Sequence, residues 1–333
     1  MKICAKCFKD YALRTFIEEN GVVGVCELSG ELTKVIDTID LSDSFDELLS
    51  SFSPTPQGRP FYEIIQQDWG VFDEKYGADI LKSLLEERKS PLSIDTPVGY
   101  ADDVISSKSD WERIKYNLLH KFRFLTIKEL ESAPYYNSAF SIHTVEFNKG
   151  DVLYRSRINA RDQEIPYNKT EMGAPPIDFA SAGRANPQGI PFLYLCDDIE
   201  TTFYEVKALF LDVISTGVFL SNRSLKIVDF TKKGSPFDSK YSNVKIGIVS
   251  ELILKEISKD LSRPMRRGDT NFEYIPTQFI CEYIKFSNKV DGIAFKSSLH
   301  IGTNYVFFNP KDFECQDDVQ IHRINKVTIE ENI

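Results

Sequence analysis

Hydrophobic spacing changes period near Pro134, and no other feature limits so strongly what this chain can fold into. Before that point Ile64, Ile65, Trp69 and Phe72, then Ile80, Leu81, Leu84 and Leu85, then Trp111, Ile114, Leu118, Leu119 and Phe122 recur at helical spacing, as core-facing stripes do. Phe45–Leu49 reads as a further short helix, and the Ser53–Pro60 stretch, with its three prolines and a glycine, reads as an interrupting turn. After it, Phe140–Phe147 and Val152–Ile158 read as strands around Asn148-Lys149-Gly150. Further strands follow at Phe192–Cys196, Val213–Leu220, Leu225–Phe230, Gly292–Phe295 and Tyr305–Phe308. Helical patterns at Ile199–Leu209 and Ser250–Leu261 lie between them. The expectation is an α+β protein: a mostly helical region over residues 1–135, then a mixed α+β domain over 136–333. A regular βαβ alternation is absent.

A chain of 333 residues with 42% hydrophobic content can fill a real core. Its net charge of −10 argues against gripping nucleic acid as a main task, because phosphate binding draws on a basic face. No apolar run approaches the roughly 20 residues needed to span a bilayer, and Lys6, Lys9 and Asp10 interrupt any signal-peptide core. A cytoplasmic protein without a membrane partner is expected. Six cysteines, three of them before residue 27, suit reduced thiols or a metal site better than a secreted disulfide framework. Cys4, Cys7 and Cys26 have the spacing of a zinc knuckle over residues 4–29, but Ser29 stands where a fourth ligand is expected. A ligand from elsewhere and an empty remnant both stay open.

The densest chemistry lies between Leu153 and Glu205. Arg155 and Arg157 stand two apart, so on a strand they share a face and could meet a pyrophosphate; a solvated strand face is the plainer reading. Arg184 sits in Gly183-Arg184-Ala185-Asn186-Pro187, a turn that could hold a guanidinium at a cleft edge or merely cross the surface. Tyr194 could stack on a base or bond a ribose hydroxyl, although strand aromatics are usually core; Tyr167 is a second stacking candidate. Glu205 could stabilise positive charge at a sugar, or be an ordinary solvated helix residue. Together this inventory suits a dinucleotide.

The order Tyr154-Arg155, Gly183-Arg184-Ala185-Asn186-Pro187-Gln188-Gly189, Tyr194, Thr201-Thr202-Phe203-Tyr204-Glu205 and Asp291–Ser298 resembles the RES domain, with a motif core at residues 150–310. The front half is similar to the HEPN/RES N-terminal region, through Cys4-Ala5-Lys6-Cys7-Phe8, Gly24-Val25-Cys26 and Ile65–Trp69. The resemblance implies an ADP-ribosyltransferase-like fold and a homodimeric bacterial toxin that consumes NAD by cleaving its nicotinamide bond and is neutralised by an Xre-type antitoxin. It implies that Glu205, Arg155 and Ser297 act in catalysis, with Ser298 an alternative to Ser297. NAD would be held by Arg155, Arg184, Tyr194, Tyr167 and Asn186. It also implies a cysteine where Ser29 stands, which weakens the case for zinc at Cys4, Cys7 and Cys26. Water, phosphate or a protein could accept the ADP-ribose. Arg113 and His120, seven apart on one helical face, fit the loose HEPN ribonuclease motif, which offers a different activity. A module that only senses a nucleotide is a third reading.

Overall fold

The computed structural model describes residues 1–124, 127–131, 134–161, 163–264 and 270–328. Two compact units divide the chain. One comprises Met1–Trp111, Ala133–Ile142 and Gly234–Ile253; the other comprises Glu112–Ser132, His143–Lys233 and Leu254–Ile333.

The first unit is mixed. Strands β1 (Lys2–Cys4), β2 (Val22–Val25) and β3 (Leu32–Asp37) form an antiparallel sheet in the order β1-β3-β2. Between β1 and β2 runs the helix Tyr11–Asn20, started by the Asp10 carboxylate, which accepts from the backbone N–H groups of Ala12 and Leu13. The expected helices are present as Ser42–Ser50, Phe61–Ile64 with its continuation to Trp69, and Gly77–Glu87. The Ser53–Pro60 stretch differs from its reading as a turn: it belongs to strand β4 (Phe52–Pro60), paired with β5 (Pro97–Tyr100). Its prolines are tolerated because a two-stranded ribbon leaves one edge of each strand unpaired, and the register shifts between Pro54 and Arg59. Phe140 also differs. It lies in the helix Pro134–Ile142, where buried Tyr135, Tyr136, Ala139, Phe140 and Ile142 follow helical spacing, and the strand begins only at Thr144. Periodicity alone does not separate helix from strand over so short an apolar run.

The second unit is built on one sheet. Its strands are β6 (Thr144–Phe147), β7 (Val152–Ile158), β8 (Leu193–Cys196), β9 (Val213–Ser221), β10 (Leu225–Asp229), β11 (Gly292–Lys296), β12 (Thr303–Phe307), β13 (Phe313–Cys315) and β14 (Gln320–Arg323). The order is β13-β9-β7-β8-β12-β11-β10-β6, with β14 also on β9, and every pairing is antiparallel except β10 with β11. Phe147 on β6 and Phe313 on β13 come from opposite ends of that order, yet their ring centroids are 5.9 Å apart. The sheet therefore curls so that both ends face one core, with the Phe307 ring tilted 4.3 Å from Phe313 and edge-on 5.5 Å from Phe147. Leu153, Leu193, Leu195, Phe219 and Ile227 fill the remainder. The helix expected at Ile199–Leu209 stops at Glu205, because the backbone turns left-handed at Lys207 (φ 54°). The helix Val244–Leu261 begins earlier than the sequence pattern suggests, and Ile275–Ser287, with Pro276 near its start, was not legible at all. Among the described residues no helix is long and apolar enough to cross a membrane.

Phe307 is fully buried at the centre of this aromatic cluster. Phe307→Ala should cost about 3–5 kcal/mol by loss of burial and cavity formation, read as a lower urea midpoint at an unchanged slope. A loss below about 1 kcal/mol would contradict the packing.

Candidate active site

Strands β7 and β8 pair at a single position, Tyr154 with Cys196, whereas β7 pairs with β9 from Val152 to Ile158. Where β7 and β8 part, a cavity of about 350 Å³ opens, at the lower end of the range for small-ligand sites. Its wall takes Arg155 from β7, Tyr194 and Cys196 from β8, Asn304 from β12, Arg184 from a loop, Ser298 from the β11–β12 connection, and Glu205 and Lys207 from the end of the helix after β8.

Glu205 is held from one side. Its Oε1 accepts from the Ser297 hydroxyl and from Asn304 Nδ2, each at 2.7 Å, while among the described residues nothing bonds Oε2. Two donors on one oxygen fix the carboxylate plane. The β11–β12 connection that carries Ser297 is pinned to the helix that carries Glu205. His300 Nδ1 lies 2.8 Å from Thr201 Oγ1, and its ring stacks 4.7 Å from that of Tyr204. Gly302 is required there, since a Cβ would stand 2.1 Å from Thr201 Oγ1. Ser297 also accepts from the backbone N–H groups of Leu299 and His300, so its hydroxyl is committed to orienting Glu205, and Ser298 is the serine on the cavity wall.

The two guanidinium groups lack carboxylate partners among the described residues. Arg155 donates to the carbonyl oxygens of Met172 and Gly173, and burial, followed by neighbouring Arg157, pulls it below the ordinary arginine range to about 10, still protonated at neutral pH. Arg184 donates to the Asp260 carbonyl at 3.2 Å and lies 5.6 Å over the Tyr274 ring; burial lowers its affinity for the proton too. A desolvated cation satisfied only by neutral acceptors favours an anionic ligand. The loop that presents Arg184 is itself clamped. Thr277 Oγ1 donates to the Arg184 carbonyl at 2.6 Å, and Gln278 Nε2 donates to the Gly183 and Asn186 carbonyls. At Gly183 a Cβ would come within 2.6 Å of the Tyr194 hydroxyl.

Of the residues singled out in the sequence, Glu205, Arg155, Arg184, Tyr194 and Ser298 share this cavity, and Ser297 touches it through Glu205. Asn186 and Tyr167 are not on its wall. Asn186 is buried, its amide donating to three loop carbonyls and accepting from Tyr194 at 2.6 Å, so it shapes the loop. The Tyr194 hydroxyl is likewise committed to that loop, which leaves its ring for the cavity. Tyr167 packs against the sheet core with Arg157 5.4 Å over its ring, and Arg157 donates to the Glu171 carbonyl. Asn304, Lys207, Tyr274 and Cys196 were not foreseen. Asn304 is a buried polar residue within an apolar strand, which is the one signal that could have marked it. Cys196 donates to Asn304 Oδ1, and burial, with Glu205 nearby, holds it as the neutral thiol.

In the first unit, Cys7 Sγ lies 3.9 Å from Cys4 Sγ and 3.6 Å from Cys26 Sγ. Ser29 Oγ lies 3.7 Å from Cys4 Sγ. Zinc–sulfur bonds of ~2.3 Å in a tetrahedron imply sulfur separations of about 3.8 Å, so the three buried thiols fit zinc, with the Ser29 hydroxyl beside them. They would hold it as a structural ion.

These features meet in one class of protein, a mixed α and β domain with a polar cleft opened in its sheet. The chain belongs to the RES domain family, whose model matches residues 152–326, more than half of its length. The HEPN-like motifs lie outside that span. No curated protein matches the chain. The solved M. tuberculosis MbcT-MbcA toxin-antitoxin complex is similar at 14% identity over 56% of this chain and 90% of that one, with a TM-score of 0.31, too low to bear on fold or function.

Metal analysis should find one zinc per chain in the purified protein, with Cys7→Ser losing it and unfolding at lower temperature. Full stability in the presence of a strong chelator, with no zinc detected, would leave the thiols as core packing alone.

Proposed function

We propose that this protein cleaves NAD at the nicotinamide–ribose bond, as a toxin of the RES type that depletes the cofactor. What supports the reading is one arrangement: a carboxylate oriented by two donors, sharing a cavity with two guanidinium groups that lack carboxylate partners among the described residues. Breaking the glycosidic bond builds positive charge on the ribose, and a fixed carboxylate lowers the energy of that state more than of the ground state. Glu205 would provide it through Oε2, while Ser297 and Asn304 hold its orientation. Arg155 and Arg184 would neutralise the pyrophosphate, with Lys207 adding charge at the rim. Ser298 would bond the ribose or the carboxamide, and the Tyr194 ring would flank the nicotinamide.

Water is the simplest acceptor; phosphate would make the enzyme a phosphorylase, and a protein side chain would make it an ADP-ribosyltransferase. A toxin of this kind would act in the cytoplasm under an Xre-type antitoxin, with homodimerisation as a further expectation of the family. A HEPN ribonuclease needs Arg113 and His120 at one site, yet His120 lines a second cavity whose wall does not include Arg113. The proposal therefore favours NAD over RNA.

Steady-state nicotinamide release tests the roles. Glu205→Gln should lower kcat by about 10²–10³-fold with little change in KM, as expected for a group acting in the transition state. Arg155→Ala should lower kcat/KM by about ten- to hundredfold, the scale of one lost charged hydrogen bond. Wild-type activity in folded Glu205→Gln would reject the carboxylate's role, and tight NAD binding without turnover would make the protein a sensor.

A further inference from the structure

A second cavity, of about 270 Å³, adjoins the first through two shared wall residues, Arg184 and Tyr274. Its far wall comes from the helix Asp110–His120, which presents Glu112, Lys115, Tyr116 and His120 and precedes the span matched by the family. Charge within it is largely paired. Lys115 bridges Glu112 at 2.5 Å and Asp260 at 2.9 Å, and Arg263 faces Glu273 at 3.7 Å. Only at the boundary does a guanidinium, Arg184, meet no carboxylate among the described residues. An anion is therefore best stabilised between the two cavities, and a neutral group beyond it.

The faces offered to that neutral group are aromatic and planar. His120 lies 5.0 Å from Tyr116 and 6.0 Å from Phe272, and Tyr274 closes the side shared with the first cavity. Tyr116 is 55% exposed, with Lys121 Nζ 5.4 Å over its ring, a cation that a stacking heterocycle would displace or join. The Glu112 and Asp260 carboxylates can accept from sugar hydroxyls or an exocyclic amine. A planar heterocycle on a sugar, joined through phosphate, matches this sequence of surfaces.

We propose that the second cavity takes the adenosine half of the dinucleotide, with the pyrophosphate on Arg184 and the nicotinamide riboside beside Glu205. This rests on the NAD reading of the first cavity. Substrate selection is then shared between the family's domain and a helix that precedes it, and Tyr116 and His120 set the preference for a dinucleotide over a mononucleotide.

The test compares kcat/KM for NAD and for nicotinamide mononucleotide in the full chain. The wild type should prefer NAD. Tyr116→Ala and His120→Ala should each cut that preference about tenfold, within the range of one lost base–aromatic stack, while His120→Phe, which keeps a ring and removes the titrating nitrogens, should retain it. Equal losses on both substrates, or an undiminished preference in both alanine variants, would overturn the assignment. If neither substrate is cleaved, the reading of the first cavity fails, and calorimetry with adenosine monophosphate decides the second by itself. Binding that weakens in the alanine variants and persists in His120→Phe supports the subsite; no binding, or binding indifferent to these changes, refutes it.

Discussion

The second unit depends on a place where its sheet nearly comes apart. Between β7 and β8 only Tyr154 and Cys196 pair, so strands that continue the same curved sheet diverge and leave side chains from both facing a common space. Such a gap would normally expose backbone and polar groups inside the fold. Here a buried hydroxyl chain closes one flank: Ser156 on β7 lies 2.5 Å from Thr202 and 2.7 Å from Thr216 on β9. That chain fastens the helix Ile199–Glu205 against β7 and carries Glu205 to the mouth of the opening. Remove the divergence and Arg155 would stand on an ordinary strand face; with it, a cation and a carboxylate line one cavity.

The polar inventory then divides into groups that hold the site and groups left for a ligand. Asn186, Thr277, Gln278, Ser297 and Asn304 spend their hydrogen bonds on protein partners and fix the positions of Arg184 and Glu205. Arg155 and Arg184 touch neutral acceptors, and Glu205 keeps an oxygen that nothing bonds among the described residues. Preorganised charge in a partly desolvated cleft is the usual means of stabilising a charged transition state without reorganisation. The same division explains why Asn186 and Tyr167, both polar enough to suggest a ligand in the sequence, serve the framework.

Much of this was legible in the chain. Strand β7 was read with its observed ends because Val152–Ile158 follows the Asn148-Lys149-Gly150 turn as a run of strand-forming residues with Arg155 and Arg157 on one alternation, and the motif from Arg155 to Glu205 pointed to the cavity. What was hidden depended on distant partners. Asn304 acts on a residue 99 positions away, and nothing local marks which strand asparagine will meet a carboxylate. Ser297 and Ser298 are adjacent and alike in sequence, and only the turn toward Gly302 assigns one to Glu205 and the other to the wall. His120 looked like half of a ribonuclease pair because seven residues along a helix bring it to Arg113's face, but the cavity it lines is completed by Arg184 and by residues from beyond position 259. The Ser53–Pro60 strand was missed for a converse reason: local proline and glycine chemistry spoke for a turn, and pairing with Pro97–Tyr100 outweighed it.

The central claim is that the cavity holding Glu205 breaks the glycosidic bond of NAD. Proton spectroscopy of NAD incubated with the wild-type protein reads that bond directly, since the ring protons of bound and free nicotinamide differ. Appearance of free nicotinamide in step with loss of NAD, with ADP-ribose or its phosphate or protein adduct as the other product, is the expected result. An NAD spectrum that stays unchanged with water, phosphate and candidate protein acceptors present would contradict the account.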